Sequence, residues 1–342
     1  MTDLNTTTSV TVVVPALSYL ERQIFATLLG AIAVTGLIGN GVVILAVFMS
    51  RKLRRCVTNA FVASLSMADL AACLSMPWTM VSFLHPGTVW PLPDALCMMG
   101  GFGLIMSVGC SIITLAMIAL NRLLLVTLPR LTYKRIYTPI KTALMLLLSW
   151  LVPVSIASVP LFTDLGQLGY SARTTSCTRN SSHPKAGALN IFIAMTLYPV
   201  PCLIIIVCYT RLYLFTRKHS NIIIHDHNTP ERSRGVRRHH LGAWRVHISK
   251  RHIRVTKNML YVVLVFGTLV TPYGVTLLFS DNTRALPYTA VLLSFNSCVN
   301  PFIYATKHPD FKTVIVCILS CRWGNIPGGI RMFRSAVHPL NI

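Results

Sequence analysis

Seven stretches of this chain, near residues 24–48, 59–84, 97–126, 142–162, 188–215, 255–279 and 287–306, are apolar for long enough to cross a bilayer as helices, which takes about 20 residues. No other feature constrains the fold as strongly. In hydrocarbon every backbone N–H and C=O must find a partner within the chain, so such segments must be helices packed side by side. Composition agrees: 53% of the residues are hydrophobic and 12% charged, far from the balance of a soluble domain. A soluble all-helical fold would need seven helices apolar on nearly every face. The expected fold is therefore an all-α membrane protein, a seven-transmembrane helix bundle with a short amphipathic eighth helix, and seven spans put the chain ends on opposite sides.

The last apolar segment ends in Asn296-Ser297-Cys298-Val299-Asn300-Pro301-Phe302-Ile303-Tyr304. A proline there removes a backbone hydrogen bond and clashes with the preceding turn. The asparagine before it adds an amide that hydrocarbon cannot solvate. A helix keeps such a pair when it must bend and when neighbouring helices or waters satisfy the freed groups. A second span carries an acid at membrane depth, Asp69, and ionisable residues there are functional candidates.

Orientation follows from the basic residues, because Lys and Arg in short loops stay cytoplasmic. Of the 31 Lys and Arg residues, only Arg22, Arg173, Arg179, Lys185 and Arg284 fall on the side of the N-terminus. The domain plan is an extracellular N-terminus (1–23), a bundle (24–306), an amphipathic surface helix (307–319) and a cytoplasmic tail (320–342). The long cytoplasmic loop, about 217–252, is polar and rich in His and Arg, and is expected to lack fixed structure. The net charge of +22 is topogenic and suits anionic inner-leaflet lipid rather than nucleic acid. No basic flank precedes the first apolar segment, so the first span is expected to act as its own insertion signal. Asn5-Thr6-Thr7 and Asn180-Ser181-Ser182 match the glycosylation pattern on the outer side.

Cys97 and Cys177 are the two cysteines on the oxidising side, one opening span three and the other in the loop after span four. A bridge between them would pin that loop across the bundle. Cys56, Cys73, Cys110, Cys202, Cys208 and Cys298 sit in or beside spans as small packing residues. Cys317 and Cys321 end an amphipathic stretch, Phe311 to Leu319, and are either palmitoylated or free thiols.

In order along the chain stand Gly39-Asn40, Leu65-Ser66-Met67-Ala68-Asp69, Trp90 before Cys97, Arg122 ending span three, Trp150, Pro201 with Tyr209, Phe266 with Pro272, and Asn300-Pro301-Phe302-Ile303-Tyr304 followed by Phe311. This ordered set, covering about residues 24 to 319, resembles the rhodopsin-like (class A) G-protein-coupled receptor family. The Asn-Arg start of the third-span motif is also slightly similar to melatonin-type receptors and the invertebrate moody/trapped-in-endoderm group. The resemblance implies a plasma-membrane receptor, not an enzyme. It would activate a heterotrimeric G protein through Asn121, Arg122, Tyr209, Phe266, Pro272, Asn300, Pro301 and Tyr304, with arrestin and receptor kinases as further partners.

Departures from the family pattern bear on mechanism. The acid usual before the third-span arginine is Asn121, the tyrosine usual after it is Leu123, and His252 stands where an acid usually opens span six. Arg122 therefore lacks two carboxylates that would hold it by charge-assisted hydrogen bonds, and raised ligand-free activity is expected. The tryptophan usual two residues before Pro272 is Val270, leaving Phe266, Ile112 and Pro201 as the transmission core. Asp69, Ser111, Asn296, Ser297 and Asn300 match the family's sodium cluster. Either allosteric Na+ binds there, or Asp69 is protonated and bonded to Asn300 and waters.

The position where aminergic members carry an aspartate is Leu104, and residues 286–306 hold no lysine for a retinal Schiff base. A pocket formed by Leu104, Ser107, Val108, Met195, Val270, Tyr273 and Ser294 would be mostly apolar and suits a lipid-like or small amphipathic ligand. The alternative is a transporter or channel using Asp69 in an ion path, although the halves show no repeat. Motifs of membrane-embedded hydrolases are absent at membrane depth.

Overall fold

The computed structural model describes residues 17–85, 89–172, 174–227, 250–278 and 284–329. Their helices are α1 (Tyr19–Met49), α2 (Arg51–Arg54), α3 (Val57–Leu84), α4 (Asp94–Thr127), α5 (Arg130–Ile136), α6 (Pro139–Phe162), α7 (Ala186–Leu197), α8 (Pro199–His227), α9 (Lys250–Leu278), α10 (Ala285–Lys307) and α11 (Pro309–Leu319). A hairpin of β1 (Leu168–Ser171) and β2 (Ser176–Arg179) lies between α6 and α7. The long helices begin where the sequence supplies caps. Ser18 and Glu21 form a reciprocal capping box at α1, and Thr138 caps α6 with Pro139 in its first turn.

Six stretches among the described residues are long and apolar enough to cross a membrane. The seventh crossing helix, α10, is more polar because it carries Thr289, Ser294, Asn296, Ser297 and Asn300. Those residues face inward: Ser294, Asn296, Ser297 and Asn300 are all buried. The central core gathers Phe61, Leu65, Ile112, Leu115, Phe266 and Tyr304 from four helices.

The fifth apolar segment is two helices rather than one. α7 stops at Leu197 and α8 starts at Pro199, whose missing N–H interrupts the ladder at Tyr198. The loop after it is shorter than expected. α8 continues to His227 and α9 begins at Lys250, because residues 217–227 hold no Gly or Pro to stop a helix already started. The remainder, 228–249, lies outside the described residues.

Beyond α10 the chain turns at His308 into α11, which buries Phe311, Val314, Ile315 and Ile318, the i, i+3, i+4, i+7 stripe of an amphipathic helix. The tail then folds back. The Arg51 N–H donates to the Gly328 carbonyl (3.0 Å) and Ser50 Oγ donates to the Pro327 carbonyl (2.8 Å). Ile326, 4% exposed, joins the central core. Gly328 makes this turn with φ +67, where a side chain would be strained and its Cβ would lie 3.3 Å from the Lys52 nitrogen.

Candidate functional site

At mid-bundle, Asn300 Nδ2 donates to Asp69 Oδ2 at 2.8 Å. A cavity of about 10 Å³ opens beside this pair, lined by Asp69, Ser111, Asn296 and Ser297 among others. That is roughly the room one water or one small ion needs. The Asn296 Oδ1 atom is buried with no hydrogen-bond partner among the described residues, an oxygen free to act as a ligand. All five residues expected from the sequence as a cation cluster thus meet at one place. Asn40 Nδ2 donates to the Ser297 carbonyl (2.7 Å), fixing α10 against α1.

At the end of the bundle where α4 finishes, Arg122 is 3% exposed and its Nε has no partner among the described residues. Asn121 does not restrain it. The Asn121 Oδ1 accepts from Thr58 Oγ1 (2.6 Å), and its Nδ2 donates to the Tyr133 hydroxyl (2.9 Å). Tyr133 belongs to α5, so Asn121 pins that short helix to α4 and α3. The hydroxyls of Tyr209 and Tyr304 are likewise buried without partners among the described residues. Phe266 is buried in the central core, whereas Pro272 lies half-buried inside α9. Pro301 is buried inside α10, where Tyr304 stacks on Phe311 with ring centroids 5.6 Å apart. Thr58 and Tyr133 went unnoticed in the sequence, because nothing local links them to Asn121. Nearby, Cys317 is half-buried with its Sγ 3.8 Å from the Asn325 carbonyl, and Cys321 is exposed.

At the opposite end, Cys97 and Cys177 are disulfide-bonded across a separation of 80 residues, packed with Trp90 and Tyr170. The bond lays β2 onto α4 so closely that a Cβ on Gly101 would collide with the Thr178 carbonyl. Beyond the hairpin, Lys185 Nζ donates to Asp164 Oδ2 (2.7 Å) with His183 3.5 Å from the other oxygen. This exposed contact holds the Asp164 carboxyl below its usual range, chiefly through the Lys185 hydrogen bond. Asn180 follows β2, its Nδ2 donating to Gln167 Oε1 (3.2 Å), while Asn5 lies outside the described residues.

Two cavities of about 40 Å³ each flank β2. One runs toward α1, α3 and α10 and is lined by Thr174, Ser176 and Thr178 together with Ser75, Thr79 and Ser294. The other lies against α7 and α9 and is lined by Leu104, Val108, Arg179, Ile193 and Tyr273 among others. Leu104 borders both, and Ser107 borders the small cavity at Asp69. Two expected pocket residues sit elsewhere. Met195 is 62% exposed, because the inward stripe of α7 is Leu189, Ile193 and Leu197, and a residue two places from Ile193 points to the other face. Val270 is buried in the central core. Arg179, 8% exposed, was missed because it reads as one more outer basic residue. Strand alternation could have found it: two residues past Cys177, it shares the face the disulfide draws inward.

The family model described as 7 transmembrane receptor (rhodopsin family) matches residues 39–304. The 5-hydroxytryptamine receptor 4 of Cavia porcellus is 26% identical over 319 residues, covering 88% of this chain and 80% of its own. Protein trapped in endoderm-1 of Drosophila melanogaster is 27% identical over 318 residues, covering 89% and 80%. In fold, the chain is similar to squid rhodopsin, with a TM-score of 0.73 at 19% identity over 96% of this chain and 94% of that one. None of these matches favours a transporter, a channel or an enzyme. An Asp69–Asn300 pair at mid-bundle, an arginine near the end of α4 and a proline inside α10 accompany a family match spanning most of the chain, which belongs to the rhodopsin family of seven-transmembrane, G-protein-coupled receptors.

Proposed function

We propose that this receptor is gated by a non-amine, lipid-like or small amphipathic ligand entering at the hairpin end, which faces outside the cell. The observation that carries the reading is the lining of the two cavities beside β2: among the described residues it includes no carboxylate, and Leu104 borders both. An ammonium ligand, such as the name of the serotonin relative denotes, would find no counter-ion there. Ligand binding tilts α9 about Pro272 and opens a cleft at the Arg122 end, where Arg122 and Tyr209 meet the G protein. The ligand can do this only by binding the open state more tightly than the closed one.

A sodium ion in the cavity beside Asp69 supplies a charge that favours the closed state. Asp69, Ser111, Asn296 and Ser297 offer hard oxygens to hold it, and the unpartnered Asn296 Oδ1 supports the fit.

The test is ligand-free nucleotide exchange across a panel of G proteins in membranes, wild type beside Arg122→Ala and Asp69→Asn, with sodium or potassium as the main cation. Exchange that Arg122→Ala alters and that sodium lowers, except in Asp69→Asn, is the expected result. Exchange indifferent to Arg122 argues against coupling at this end. A sodium effect that survives Asp69→Asn removes the ion from the site.

A further inference from the structure

We infer that the cavity between β2, α7 and α9 binds a carboxylate-bearing amphiphile, with Arg179 as its counter-charge. This rests on the ligand-gated reading above and names the ligand class.

A buried guanidinium is unusual unless an anion accompanies it. Arg179 is 8% exposed, and among the described residues it has no ion pair. Its recorded side-chain hydrogen bond goes to the neutral Asn190 Oδ1. One amide oxygen occupies only part of a guanidinium's five donors. The same side chain lines a cavity whose other walls are Leu104, Val108, Ile193, Leu197, Leu277 and Leu293 with two tyrosines and Thr178. One fixed cation at the edge of a narrow aliphatic seam matches a molecule with one anionic head and one alkyl chain.

The charge count narrows the head group. Among the described residues, neither cavity beside β2 includes a Lys or a second Arg in its lining, so the site suits a monoanion rather than a phosphate dianion. The planar guanidinium fork also suits a carboxylate, which it can grip with two parallel bonds. A protonated amine would be repelled by the same residue.

The site is wired to the moving helix. Asn190, which accepts from Arg179, donates through Nδ2 to the Leu277 carbonyl of α9 at 3.3 Å. Arg179 is itself held by its strand: it pairs with Leu168 across the hairpin and follows the disulfide-bonded Cys177 by two residues. A carboxylate that draws Arg179 away from Asn190 therefore loosens a tie between the hairpin and the helix that carries Pro272.

The experiment is thermal unfolding of the purified full-length receptor in lipid nanodiscs. Short-, medium- and long-chain carboxylates are compared with the alcohols and primary amines of the same chains. Wild type, Arg179→Lys, Arg179→Gln and the cavity-narrowing Ile193→Phe are run together. We expect carboxylates to raise the midpoint of wild type and Arg179→Lys, with affinity on the order of ten- to hundredfold weaker in Arg179→Gln. Alcohols and amines should do less at every chain length, and Ile193→Phe should weaken the long-chain carboxylate. Equal stabilisation of wild type and Arg179→Gln, a preference for alcohol or amine, or no carboxylate effect on wild type at any length overturns the proposal. If Arg179→Gln does not fold, the carboxylate preference of wild type and its loss in Ile193→Phe decide the matter. Carboxylate binding that leaves nucleotide exchange unchanged would uphold the site and reject ligand gating through it. Exchange that depends on Arg122 without carboxylate binding would do the reverse.

Discussion

Asn121 commits both polar atoms of its side chain to neighbours other than Arg122, accepting from Thr58 and donating to Tyr133. A carboxylate at that position would keep the bond from Thr58 and accept from the Tyr133 hydroxyl instead of donating to it. It would also place a negative charge beside the guanidinium of the next residue, whose Nε has no partner among the described residues. Asn121→Asp is therefore expected to lower ligand-free nucleotide exchange by about fivefold, the effect of roughly 1 kcal/mol of extra restraint on the resting state. The measurement is basal exchange at matched surface expression. An unchanged or higher rate would show that Arg122 is held by something other than a neighbouring acid.

Among the elements, the tail shows how a short segment with no regular structure of its own gains a fixed place. Residues 326–329 pair with the start of α2 through the Arg51 N–H and Ser50 Oγ, and Ile326 is buried beneath them. Removing that apolar anchor should release the strap without disturbing the bundle. Ile326→Ser is expected to cost about 2–4 kcal/mol of local stability. Hydrogen exchange reads this directly: the Arg51 amide should exchange faster while amides of α3 and α4 keep their protection. Equal protection at Arg51 would mean that the backbone bonds alone hold the strap. The break between α7 and α8 has a related origin, since Pro199 cannot donate and the chain rotates there before continuing. Within α7 itself, Ile193 and Leu197 line the cavity beside Arg179, while Met195, two places from Ile193, faces away.

For the whole molecule, the disulfide at one end fixes the hairpin beside the two larger cavities. It closes a separation of 80 residues and presses β2 onto α4, so both outer cavities take their walls from the strand it fixes. Cys97→Ser or Cys177→Ser should lower stability by about 4–5 kcal/mol on chain-entropy grounds. The thermal midpoint of the purified receptor should fall accordingly, and carboxylate stabilisation should vanish with the displaced Arg179. A midpoint equal to wild type would show that packing of Trp90 and Tyr170 holds the hairpin without the bond.

What segment length, side of the membrane or likeness to a family motif decides was legible without coordinates. Seven apolar lengths imply a helix bundle because hydrocarbon leaves the backbone no other partner. The resemblance to the receptor family grouped Asp69, Ser111, Asn296, Ser297 and Asn300; the first four line one cavity and Asn300 is bonded to Asp69 beside it. Cys97 and Cys177 could be paired because both lie on the same side. What needed the tertiary structure were partners far apart in the chain and the choice of inward face. Thr58, Asn121 and Tyr133 come from three elements, and Met195 differs from Ile193 only in its place around α7. Arg179 is the sharpest case. In sequence it is one of a few outer basic residues, and only the disulfide-bound strand turns its charge inward, into a cavity whose lining among the described residues holds no acid. Hydrophobic length and local spacing are properties of a segment, and so are written in it. Burial and partnership are properties of the assembled packing, and so only the folded chain decides them.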